Sequence, residues 1–164
     1  MAVHIQAIKA LAPADYLLIE REHALLENFL HDLRAACACS NLDNTQNHKR
    51  CDHEMQASCQ GRLPSFLYYL IELAANHFEH EEAIMLSRPH VTENYAYFRI
   101  HQQAHVEIMR KLDALVDECF ALDNNDNPAE VYIRFYERLS NIFEEHDQAF
   151  DDPFIFSTKK TGTD

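Results

Sequence analysis

An all-α fold, arranged as an up-down-up-down antiparallel four-helix bundle, is what this sequence predicts. Three observations carry that expectation. The 164 residues include only two glycines while hydrophobic content reaches 47%, a composition suited to a helix-rich globule and unsuited to a loop-rich β architecture. Apolar residues recur at steps of three and four along four separate stretches. Pro13, Pro64, Pro89 and Pro128 fall at or just before the starts of those stretches, where a missing amide costs little.

Segment A spans residues 15–37, with Asp15 as the expected N-cap after Pro13. Its inward stripe reads Ile19, His23, Leu26, Leu30, Leu33. Segment B begins near Leu63, with Pro64 in its first turn, and its stripe is Leu63, Leu67, Leu70, Ala74, His77, Glu81, Met85. Segment C follows Pro89 and ends near Leu122, with Phe98, His101, His105, Ile108, Leu112, Leu115 and Cys119 in line. Segment D follows Pro128 and aligns Phe135, Leu139, Ile142 and His146. The run Asp-Asn-Asn-Asp-Asn before Pro128 is a loop by composition, and the tail beyond Pro153 is expected on the surface. Length predicts a single domain over 1–164, its bundle core about 15–155, with a long non-periodic insertion at 40–62 between A and B.

The formal charge of −13 disfavours nucleic acid and anionic membrane as partners, and some of it should be offset by bound cations. No window approaches 18 apolar residues, and the amino terminus shows no basic region followed by an apolar core. Five cysteines point to a reducing compartment, most simply the cytoplasm.

The chemistry lies on the apolar stripes. His23 stands on A, His77 with Glu81 on B, His101 with His105 on C, and His146 with Asp151 at the end of D. Residues four apart on a helix share a face about 5–6 Å apart, so each such pair can serve one small volume. In an up-down bundle the starts of A and C lie level with the ends of B and D, so all seven groups are expected in one layer. Asp151, five residues beyond His146, would leave the stripe of a regular helix, so the helix should unwind there, helped by Pro153. Imidazoles with bridging-capable carboxylates suit iron, zinc or manganese, and two carboxylates among five imidazoles suggest two metals. His31, His80 and Glu82 fall off-stripe and are expected to face solvent, as are Glu22 and Glu79; the alternative for His80 is a hydrogen bond that supports the ligands from outside.

Taken together, the lone histidine in Arg-Glu-His23, then His77-Phe-Glu-His-Glu81, His101-Gln-Gln-Ala-His105 and His146-Asp-Gln-Ala-Phe-Asp151 resemble the hemerythrin-like (HHE cation-binding) family, bacterial members in particular, over about residues 15–155. The resemblance implies a non-haem centre of two iron ions with an oxo or hydroxo bridge. His101, His105 and His146 would hold one iron; His23 and His77 would hold the other, with a position left open for dioxygen; Glu81 and Asp151 would bridge the pair. It implies dioxygen binding for storage, delivery or sensing. A di-iron enzyme acting on peroxide or nitric oxide, and an iron-handling or iron-sensing module whose output needs a partner protein, are the alternatives. Few acidic groups beside the metals are expected to shuttle protons, which favours binding over turnover. Phe98, Leu26 and Ile142 are the expected walls of a dry pocket that would slow proton entry. A ferritin-like site would need ExxH elements on two helices, and only Glu20-Arg-Glu-His23 fits.

The insertion raises a separate question. Cys37, Cys39, Cys51 and Cys59 could hold a structural zinc ion, form a redox-sensing thiol pair, or be ordinary cysteines; the CxC…C…C spacing is not that of a standard finger. This cluster would lie about 21 Å from the metal layer, fourteen residues along segment A from His23.

Overall fold

The computed structural model describes residues 12–36, 53–89, 91–123 and 126–151, apart from the side chains of 34–36, 53–60, 128–129 and 151. Four α-helices and a terminal π-turn make up the described chain, with no strand among the described residues: α1 (Pro13–Ala36), α2 (His53–Leu86), α3 (Ala96–Phe120), α4 (Pro128–His146) and the π-turn (Asp147–Asp151). Helix α2 packs on α1 and α3, and α4 packs on all three of the others.

Two element starts differ from expectation. Helix α1 begins at Pro13, whose fixed φ suits a first helical residue, so Asp15 falls inside the first turn instead of capping it. There it complements the helix dipole and lies 3.5 Å from the Arg88 guanidinium beyond the end of α2. Helix α2 starts at His53, ten residues before Leu63, and carries Pro64 within it. The stretch 53–62 offers Glu, Met, Gln and Ala, good helix formers, but no apolar stripe, so propensity extends the helix where periodicity is silent. The backbone bond lost at Pro64 is tolerated because Leu63 and Leu67, on either side of it, are fully buried. Of the cysteine cluster, Cys37, Cys39 and Cys51 lie outside the described residues, and Cys59 belongs to α2 by its backbone, its side chain lying outside them too.

The expected stripes are the core. Leu26, Leu30 and Leu33 of α1 meet Leu63, Leu67 and Leu70 of α2, Ile108, Leu112 and Leu115 of α3, and Phe135 and Leu139 of α4 in one large apolar cluster. A smaller cluster gathers Ile19, Ile84, Met85, Val91, Tyr97 and Phe98. Between the two lies a polar layer. On α1, His23 sits between Ile19 and Leu26; on α2, Glu81 sits between Phe78 and Ile84; on α3, His101 and His105 sit between Phe98 and Ile108. The layer is therefore closed off by hydrocarbon on both sides along the helix axes.

Candidate metal centre

Burial of polar side chains without partners is costly, so the contents of that layer need an explanation. His77, Glu81, His101, His105 and His146 are each at most 4% exposed. Residues in the first halves of α1 and α3 meet residues late in α2 and α4, and the donors fall into two overlapping groups. Glu81, His101, His105 and His146 form one; His23, His77 and Glu81 form the other; each could hold a metal ion.

Glu81 belongs to both, and its two oxygens divide between them. Oε2 lies 3.1 Å from His105 Nε2, 3.5 Å from His101 Nε2 and 3.8 Å from His146 Nε2. Oε1 lies 3.4 Å from His77 Nε2, which is in turn 3.1 Å from His23 Nε2. Ligand bonds of about 2.0–2.2 Å to a shared ion would separate donors by roughly 3–4.4 Å, and these spacings lie in that range. All five imidazoles turn Nε2 inward.

The outer nitrogens explain the orientation of two of them. His77 Nδ1 donates to Glu22 Oε2 at 3.0 Å, and His105 Nδ1 donates to Glu82 Oε1 at 2.8 Å. A proton held on Nδ1 leaves a lone pair on Nε2, which is the form a metal requires. For His105 that lone pair faces a Glu81 carboxylate oxygen at 3.1 Å, an acceptor against an acceptor. Only a cation shared between them, proton or metal, satisfies both. The donor set thus fits a divalent transition metal on its own chemistry.

Glu22 and Glu82 therefore do not face solvent as expected: their side chains are 14% and 24% exposed. Glu22 also accepts from His80 Nδ1, and Glu82 accepts from Gln102 Nε2 at 2.9 Å. Burial alone would raise the Glu22 carboxyl, but the hydrogen bonds and charge of His77 and His80 outweigh it and bring its pKa below the ordinary value. His80 is half exposed and His31 is largely exposed, both as expected. Both carboxylates adjoin a ligand candidate in sequence, Glu22 before His23 and Glu82 after Glu81, and that adjacency was the signal available. A neighbour one step along a helix is rotated about 100° from the stripe, so it reaches the next helix instead of the shared centre.

Of the expected pocket walls, Leu26 borders the space beside His23 and His77, Phe98 lies in the smaller apolar cluster that bounds the layer, and Ile142 packs against the large one. Among the described residues, the aromatic rings against the imidazoles are Phe78, stacked on His105 at 4.1 Å between centroids, Phe150, stacked on His101 at 4.8 Å, and Tyr97, edge-on to His101 at 5.9 Å. Phe78 follows His77 directly and so escaped the stripe.

At the end of α4 the chain widens into the π-turn instead of unwinding. A π-turn closes i→i+5 bonds, the same span as separates His146 from Asp151. The Asp151 side chain lies outside the described residues. Asp147, at the start of the turn, brings Oδ1 to 4.0 Å from His23 Nε2, and the His23 side chain there is 22% exposed. No helix among the described residues is long and apolar enough to cross a membrane. Comparison with models of protein families, with curated proteins and with solved structures finds no match to this chain.

Proposed function

We propose that this chain is a non-haem di-iron protein of the hemerythrin-like kind, an up-down-up-down bundle that binds dioxygen for storage, delivery or sensing. The observation that carries the reading is the divided carboxylate of Glu81, one oxygen toward three histidines and the other toward two. His101, His105 and His146 would hold one iron and His23 with His77 the other, Asp151 serving as a second bridge. The meeting of the first halves of α1 and α3 with late α2 and α4 supports the antiparallel arrangement. Bound there, two irons would supply the two electrons that dioxygen binding needs, His23 and His77 offering fewer ligands than the three-histidine group.

The expected scarcity of acidic groups does not hold, since Glu22, Glu82 and Asp147 stand beside ligand candidates, and the preference for binding over turnover rests on the covering of the imidazole faces. Glu22 and Glu82 hold His77 and His105 in the ligating tautomer. Phe78 and Phe150 cover imidazole faces with hydrocarbon, and the apolar clusters bound the layer along the helix axes.

Anaerobic iron reconstitution followed by air is the test. Two irons per chain and a long-lived visible absorption band that disappears on deoxygenation would support the reading. Rapid decay of that band with turnover of added peroxide would favour a di-iron enzyme, and absence of bound iron would overturn both.

A further inference from the structure

A cavity of about 630 Å³ is lined by residues of α1 and α4 with His77 and Phe78 of α2, His23 and His146 among them. That volume is within the range of about 300–1,000 Å³ typical of small-molecule sites and far beyond what a diatomic gas requires. Its α1 wall runs from His23 to His31, eight residues and so about 12 Å of helix. Along α4 the lining residues recur at helical spacing from Tyr136 through Ser140, Phe143 and Glu144 to Asp147. One face of each helix is therefore given over to this space.

The lining separates by character. Leu26, Leu30, Phe78 and Phe143 are buried and make an apolar inner surface. Glu27, Glu144 and Asp147 place three carboxylates around it, and no Lys or Arg is among the described lining residues. Tyr136 and Ser140 add hydroxyls partway along. Hydrated metal ions have no use for four hydrocarbon side chains, and organic anions would meet three like charges. An apolar body carrying a positive charge satisfies both parts of the wall.

We propose that this groove binds a small organic cation of the arylalkylamine class, its ring on the apolar surface and its ammonium group among Glu27, Glu144 and Asp147, beside the two-histidine position. The inference deepens the metal reading by adding an organic ligand to that centre, but the groove is built from side chains that do not depend on metal. Binding of tyramine to the full-length chain, with and without iron, is the experiment, with 4-hydroxyphenylacetate as the anionic counterpart and metal content measured on the same samples. Saturable one-to-one binding of tyramine, at least about tenfold tighter than the anion, is expected. Ser140→Trp, which fills the groove midway, should weaken tyramine by about tenfold or more without changing metal content. Should that variant fail to fold, Glu27→Gln with Glu144→Gln, both exposed positions, decides: the cation preference should fall several-fold. Tyramine bound normally by a chain that takes up no iron would sink the metal reading and leave this one standing. Two irons bound with no saturable tyramine binding, equal affinity for the anion, or binding unaltered in the variants would overturn it.

Discussion

The Tyr97 hydroxyl donates a 3.0 Å hydrogen bond to the Phe150 carbonyl, tying the first turn of α3 to the π-turn at the end of α4. Tyr97 stands four residues before His101, and the Phe150 ring stacks on His101 and His146, so one contact fixes backbone and ring together. Tyr97→Phe keeps the packing and removes the bond. A loss of about 0.5–1.5 kcal/mol is expected in urea unfolding of the metal-free chain. An unchanged midpoint would show that the turn holds itself without this tie.

Glu81 and His77 make different predictions for metal content. Because its oxygens serve both donor groups, Glu81→Ala should empty both positions, whereas His77→Ala should leave the three-histidine group loaded and halve the iron. Elemental analysis after anaerobic loading distinguishes them. Equal loss in the two variants would dissolve the assigned division.

Removing an orienting carboxylate should act through the ring it holds. Glu22→Gln and Glu82→Gln are each expected to lower metal affinity by about 10–100-fold without unfolding the chain. The pH dependence comes from the lowered Glu22 pKa: its contribution to the metal-free fold is present above the ordinary carboxylate pKa and is lost as pH falls through the folded value. Acid unfolding of Glu22→Gln should therefore be flatter than that of the parent below the ordinary carboxylate range. Curves of identical slope would show that Glu22 is not held as described.

Gly61 tests the length of α2. It lies inside the helix, and a Cβ added there meets nothing within 4 Å. Gly61→Ala should stabilise the chain by about 0.5–1 kcal/mol, since glycine gives up more backbone freedom than alanine in a helix. No gain in thermal midpoint would mean that the stretch before Leu63 is not helical in solution.

Cys119 is buried, and desolvation raises its thiol pKa above the ordinary value. Peptide-resolved labelling with a maleimide near neutral pH should find it unmodified in the native chain and fully modified in denaturant. Native labelling on the timescale of an exposed thiol would show the far end of the large core to be open.

Much of the site was legible in residue spacing. His77, Glu81, His101, His105 and His146 could be read because helical periodicity aligned them with leucines that had to be buried, and burial of a histidine on such a stripe demands a partner. What escaped lay off the stripe. Glu22, Glu82 and Phe78 each sit one residue from a ligand candidate, and their roles depend on which neighbouring helix they face, a fact set by packing. The early start of α2 escaped for the opposite reason: residues 53–62 favour helix by propensity but bury no stripe, and Pro64 read as a beginning. The π-turn was half legible. The five-residue step from His146 to Asp151 signalled a departure from α geometry, but not that the coil would widen instead of ending.

That widening makes the tail of α4 sensitive to arithmetic more than to chemistry. A π-turn amounts to an α-helix holding one surplus residue per turn. Deleting any single codon from 147 to 150 would restore ordinary winding and revolve the downstream residues by about 100° about the axis. Tolerated variation at those places should thus consist of exchanges of one amino acid for another, with gaps and additions purged.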